Sequence, residues 1–172
     1  MNTPMNAPMN TMENRPPLSD ASLQEIDREL AKYPEDRRQS ALLAALRIAQ
    51  DERNWLSSEI IEYVARIIQV PPVRAYEVAT FYSMYDLHPA GRHKISVCTN
   101  ISCMLRGCDV IVEHLKSRLG VGFGETTEDG RFTLKEVECL AACAGAPMMQ
   151  VGRDYYEDLT PEKVDAVLEG LA

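Results

Sequence analysis

Lys94-Ile-Ser-Val-Cys98-Thr-Asn-Ile-Ser-Cys103 is the stretch on which the reading of this chain turns. Lys94 to Val97 alternates polar and apolar residues, the period of a half-buried strand, and the pattern runs straight into Cys98. A second strand candidate, Phe132-Thr-Leu-Lys-Glu-Val-Glu138, slips its alternation by one residue near the end and leads into Cys139-Leu-Ala-Ala-Cys143. The cysteines therefore form a C-x4-C pair and a C-x3-C pair with 35 residues between them. Thiolates that close in sequence can share one soft metal site, and two pairs provide the four ligands that a zinc ion or a 2Fe-2S cluster takes. Spacing alone leaves zinc and iron–sulfur both open. If both strands belong to one sheet, loops at one of its ends bring the pairs together.

Cys108 competes for a place in this set, because Cys98, Cys103 and Cys108 are evenly spaced. From Met104 to Leu119 the apolar residues Met104, Cys108, Ile111, Val112, Leu115 and Leu119 recur on one helical face. Cys108 falls on that stripe and reads as a small buried hydrophobe. Cys103 falls just ahead of the helix, where main-chain N–H groups face an anion. Gly120 closes the helix, and a Gly- and Thr-rich loop leads to the second strand. Pro147–Val151 and Asp154–Tyr156 read as a hairpin turned by Gly152-Arg153. A last helix opens at Thr160 as cap with Pro161 in its first turn. The order β-α-β-β-β-α predicts an α/β domain over 92–172.

Upstream the pattern is helical. Ser19-Asp20 caps a helix from about Ala21 to Lys32, with Pro34 beyond it. A second runs from Asp36 to about Arg53 on Leu42, Ala45, Leu46 and Ala49. A third starts at Ser57-Ser58-Glu59 and carries Ile60, Val64, Ile67 and Ile68. A fourth starts at Pro72 and follows Val73, Tyr76, Thr80 and Met84. These make a helical bundle over 19–88, joined through linker chemistry at Leu87-His-Pro-Ala-Gly91. Residues 1–18, which repeat Met-Asn every four residues at their start, read as a disordered tail.

Composition bounds the function classes. The net charge of -8 is spread evenly, with 9 basic and 13 acidic residues in 1–91 and the same in 92–172, so neither nucleic acid nor an anionic membrane surface is the expected partner. No apolar stretch approaches the roughly 20 residues of a spanning helix. Five cysteines without a recognisable signal peptide point to a reducing compartment and to metal ligands or redox groups over disulfides. Gly120-Val-Gly-Phe-Gly124 follows a helix and does not match G-x-G-x-x-G, so it reads as a loop. His88, His93 and His114 have no ligand spacing, and Tyr155-Tyr156 would put one ring on each face of a strand.

With Ala79-Thr-Phe-Tyr82, Gly124-Glu-Thr-Thr127, Val137-Glu-Cys-Leu140, Ala146-Pro147 and Asp154-Tyr-Tyr-Glu-Asp-Leu-Thr-Pro-Glu-Lys163 beside the four cysteines, the chain resembles the thioredoxin-like 2Fe-2S ferredoxins over 19–172. That resemblance implies a thioredoxin-like domain preceded by a helical domain. It also implies one 2Fe-2S cluster, with Cys98 and Cys103 on one iron and Cys139 and Cys143 on the other. The implied function is electron transfer as a subunit of an NADH-quinone oxidoreductase, without catalytic residues of its own. The partner is a flavin- and NADH-binding subunit that carries FMN and NADH, alongside other peripheral-arm subunits, on the cytoplasmic side of a bacterial inner membrane. The equivalent subunit of an NAD-linked formate dehydrogenase or NAD-reducing hydrogenase is the alternative owner. A zinc-stabilised interaction module is the alternative of another class, and a thiol oxidoreductase ranks last because C-x-x-C is missing. The family commonly has Leu-Gly after the third cysteine. Here Leu140 is followed by Ala141, whose methyl is expected to affect how closely the backbone approaches the cluster.

Overall fold

The computed structural model describes residues 17–171. Most of the tail expected over 1–18, residues 1–16, lies outside the described residues. The described chain divides into two compact units, with the boundary between Ala79 and Thr80.

In the first unit the helices start where local caps dictate. Helix α1 (Asp20–Leu30) is capped by Ser19, whose hydroxyl accepts the Ser22 N–H at 3.3 Å. Helix α3 (Ser58–Ile68) is capped in the same way by Ser57, whose hydroxyl accepts from the Ile60 N–H. Between them, the helix expected from Asp36 is a 3-10 segment, Glu35–Ala41, that turns into α2 (Leu42–Arg53), with non-helical backbone at Arg37. Ala45, Leu46, Ala49, Val64 and Ile68 are buried with Ile26 in the core of the unit. Leu18 is 1% exposed, so the ordered chain begins earlier than composition suggested. The Ser19 N–H and hydroxyl both donate to the Glu52 carboxylate at 3.0 Å. Hydrogen bonds from Ser22 and Ser19 hold the Glu52 pKa below its ordinary value.

Helix α4 (Pro72–Phe81) begins at the expected proline but turns a different face inward. Ala75 and Ala79 are buried, whereas Val73 is 61% exposed and Met84 lies beyond the helix end. The inward face is thus the one that carries two small alanines four residues apart.

The second unit is a four-stranded sheet with helices. Strand β1 (His93–Cys98) lies between β2 (Phe132–Val137), to which it is parallel, and β3 (Met149–Val151), to which it is antiparallel. Strand β4 (Asp154–Tyr156) pairs with β3 across the hairpin at Gly152, whose φ of 60° is the left-handed turn conformation. The stretch read as one helix from Met104 is two, α5 (Ile101–Leu105) and α6 (Cys108–Leu119). Gly107, with φ 84°, breaks them. Met104 is consequently off the stripe and half exposed, while Cys108, Ile111, Val112 and Leu115 remain buried. Helix α7 (Pro161–Gly170) carries the expected Thr160 cap, which accepts from the Lys163 N–H.

The core of this unit joins Ile95, Val97, Leu134 and Met149 of the sheet to Ile111 and Leu115 of α6 and Val164 and Leu168 of α7. Burying each of its leucine and isoleucine side chains contributes about 1.5–3 kcal/mol. Asp165 ties α7 to α6 by accepting from Arg118 at 2.7 Å and meeting His114 at 3.0 Å. These two partners, His114 first, depress its pKa. Ahead of β1, Asp86 pairs with Lys94 and with Lys135 of β2, and so fastens the incoming segment to both parallel strands.

Candidate cluster site

Parallel pairing places the two cysteine loops side by side. Cys98 is the last residue of β1 and stands opposite Val137, the last residue of β2. Both strands run in the same direction, so they leave the sheet at the same end, and Cys139 follows two residues beyond Val137. The Thr99 N–H donates to the Val137 carbonyl at 3.2 Å, carrying the pairing one residue past the strand. On the other side the Cys98 N–H donates to the Met148 carbonyl.

Asn100 caps α5 by accepting the Ile101 N–H at 2.9 Å, and this sets Cys103 in the middle of a one-turn helix facing back toward Cys98. Cys98, Cys103 and Cys108 are each 3% exposed or less and share a small cluster with Ala146 and Met148, covered by Leu140 and Ala142 of the second loop. Cys139 and Cys143 are exposed. The Cys98 thiol donates to the Glu138 carbonyl, just ahead of Cys139, at 3.9 Å. Cys143 opens the 3-10 turn Cys143–Gly145 and makes no hydrogen bond to the other three.

Electrostatics distinguishes the sulfurs. Burial opposes ionisation of Cys98, but the N–H groups of Asn100 and Leu140 and the thiols of Cys103 and Cys139 outweigh it and hold Cys98 below its ordinary pKa. Burial, together with the Cys98 sulfur beside it, pushes Cys103 up to about 11. Burial and the Asp109 carboxylate raise Cys108. In the second loop the Ala141 N–H donates to Cys139 Sγ at 3.2 Å. The methyl that departs from Leu-Gly thus leaves the backbone close to the sulfur, but it sits at a φ of 59°, in the left-handed region. The Tyr155 hydroxyl donates to the Leu140 carbonyl at 2.9 Å, a contact that alternation along the strand did not reveal.

Among the described residues no three Cys, His, Asp or Glu side chains are gathered closely enough to hold a single metal ion. The donors lie as one buried and one exposed pair, with the Ala141 N–H already on the Cys139 sulfur. That arrangement fits a dinuclear cluster, which would draw two thiolates from each pair, with N–H donors offsetting the negative charge on sulfur.

Residues 26–172 match the family described as thioredoxin-like [2Fe-2S] ferredoxin. The chain belongs to that family. Its cofactor is a single 2Fe-2S cluster, and the α/β architecture with a helical N-terminal region is the family's. An NADH-quinone oxidoreductase subunit of Rickettsia bellii is 48% identical over 143 residues, which cover 83% of this chain and 86% of that protein. The corresponding NADH-quinone oxidoreductase subunit of Rhizobium meliloti is 47% identical over 146 residues, covering 85% and 86%. Among solved structures, an air-oxidised NAD+-reducing [NiFe]-hydrogenase shares the fold, with a TM-score of 0.67 and 23% identity over 78% of this chain. The chain spans about a quarter of that hydrogenase chain, as the match covers 24% of it.

Proposed function

We propose that this chain is the 2Fe-2S electron-transfer subunit of an NADH-quinone oxidoreductase, with Cys98 and Cys103 holding one iron and Cys139 and Cys143 the other. The observation that carries the assignment is the parallel register of β1 and β2, which sets Cys98 beside the strand end that leads to Cys139. When bound, the cluster supplies a site that takes up and releases one electron.

The residues of this chain supply the rest. Cys98 and Cys103 anchor the buried side, against Met148 and Ala146, while Cys139 and Cys143 hold the side that faces outward. The N–H groups of Asn100, Leu140 and Ala141 stabilise negative charge on the sulfurs. The carboxylates of Glu136 and Glu138, at the strand end that leads to the second pair, disfavour additional negative charge. Asymmetric exposure gives an electron partner access from the Cys139–Cys143 side. The flavin- and NADH-binding subunit is that partner, with FMN and NADH on it alone, inside a peripheral arm on the cytoplasmic face of the bacterial inner membrane. No helix among the described residues is long and apolar enough to cross a membrane.

Electron paramagnetic resonance of the anaerobically purified, dithionite-reduced chain tests the assignment, with about one spin per chain expected for a 2Fe-2S centre. Alanine at Cys98, Cys103, Cys139 or Cys143 should each impair the signal. Cys108→Ala should retain it, at a packing cost of ~1 kcal/mol. Zinc without acid-labile sulfide, or a cluster lost in Cys108→Ala and kept in Cys103→Ala, would overturn the reading. Co-purification with quinone-reductase subunits supports the assembly, whereas a molybdenum-containing partner would place the chain in a formate dehydrogenase.

A further inference from the structure

Leu140 and Ala141 share one peptide group, and both of its ends are engaged. Its carbonyl accepts from the Tyr155 hydroxyl at 2.9 Å, and its N–H donates to Cys139 Sγ at 3.2 Å. The peptide is trans, since the cis bond among the described residues is Ala146-Pro147, so its C=O and N–H point in opposite directions. The hydroxyl, the peptide and the sulfur therefore form one aligned series of dipoles. Tyr155 belongs to β4, at the sheet edge, and is 47% exposed, so its hydroxyl reaches the loop without filling a core position.

A donor on the carbonyl oxygen polarises the peptide and makes its N–H a stronger donor, by the cooperativity of linked hydrogen bonds. The same donor fixes the orientation of a peptide whose Ala141 residue is in a backbone region that a non-glycine residue leaves readily. Without the phenol, the peptide is freer to rotate its N–H away from the sulfur.

We infer that Tyr155 is a positioning residue that sets the reduction potential of the cluster through the Leu140–Ala141 peptide. It holds that peptide's N–H on the Cys139 sulfur, where it favours the more negative, reduced state. The inference rests on Cys139 being a cluster ligand.

The test is a redox titration of the full-length chain near neutral pH, followed by electron paramagnetic resonance. Tyr155→Phe removes a single oxygen atom. The reduced-to-oxidised ratio at a fixed ambient potential should fall about threefold, equivalent to about 28 mV more negative for a one-electron centre. Tyr156→Phe, at the neighbouring ring packed on the sheet core, should leave the potential in place. Biosynthetic 3-fluorotyrosine, a stronger donor, should shift the wild-type potential upward and leave that of Tyr155→Phe unchanged, a response that folding defects would not mimic. Equal potentials in wild type and Tyr155→Phe, the same shift in Tyr156→Phe, or loss of the cluster in Tyr155→Phe alone would each overturn the inference. Retention of a normal cluster in Cys139→Ala would instead overturn the ligand assignment, so the two failures are distinguishable.

Discussion

Replacing Ala141 with glycine should stabilise the second unit, although the change removes a methyl next to the site. Ala141 has a φ of 59°, where the Cβ of an L-residue crowds the following carbonyl oxygen. That conformation costs about 1–2 kcal/mol. Glycine relieves it but adds freedom to the unfolded chain, which offsets about 0.5–1 kcal/mol. Taken at the middle of each range, the net gain is about 0.75 kcal/mol, or roughly 3–6 °C in the midpoint for a unit of this size. The N–H of residue 141 stays in place, so its bond to Cys139 Sγ and the Tyr155 bond to the Leu140 carbonyl survive the substitution. Thermal unfolding of the anaerobic chain, followed by circular dichroism and by the visible absorption of the cluster, reads both effects. Ala141→Val provides the opposite perturbation, since a β-branched side chain tolerates positive φ least. A glycine variant no more stable than wild type, or a valine variant equal to it, would refute the reasoning that this residue is held under backbone strain.

Two further substitutions probe how the site is supported. Asp86→Ala leaves Lys94 and Lys135, both about one-fifth exposed, without the carboxylate they share, and should cost about 1–3 kcal/mol in urea unfolding; Asp86→Asn should recover part of the loss, and equal stability of the alanine variant would contradict the pairing. Gly91→Ala places a Cβ 2.8 Å from the Phe132 carbonyl carbon and 3.0 Å from its nitrogen, backbone atoms that cannot swing aside. It should destabilise by about 1–3 kcal/mol and weaken the entry to β1 and β2, with hydrogen exchange at Gly91 and Phe132 as the direct readout; unchanged exchange would show that the approach is looser.

Much of the scaffold was legible because it is written in residues a few positions apart. Ser19, Ser57 and Thr160 cap their helices through donors three residues ahead, and such bonds need nothing from the rest of the molecule. The hairpin at Gly152-Arg153 and the strands ending near Cys98 and Cys139 follow from patterns of the same short reach. The long helix expected from Met104 failed for a local reason that periodicity overlooked. Gly107 sits in the left-handed region, so the apolar pattern spans a break. In the fourth helix the buried residues are Ala75 and Ala79, small side chains that a stripe drawn through the larger residues Val73, Tyr76 and Thr80 passed over.

By itself the sequence determined the four thiols, their grouping into two pairs, and the strands that deliver them, since those depend on spacing and on alternation over a few residues. Motifs outside the cysteines pointed to iron–sulfur where spacing left zinc open. Only the tertiary structure decided how the pairs differ: one buried on Met148, the other exposed, with Cys108 packed beside the first. It also decided that a tyrosine on the sheet edge holds the peptide whose N–H faces Cys139. The physical reason is reach. Caps and strand periods are energies of near neighbours, whereas the 15-residue return from Leu140 to Tyr155 exists only once β1, β3 and β4 have set their register.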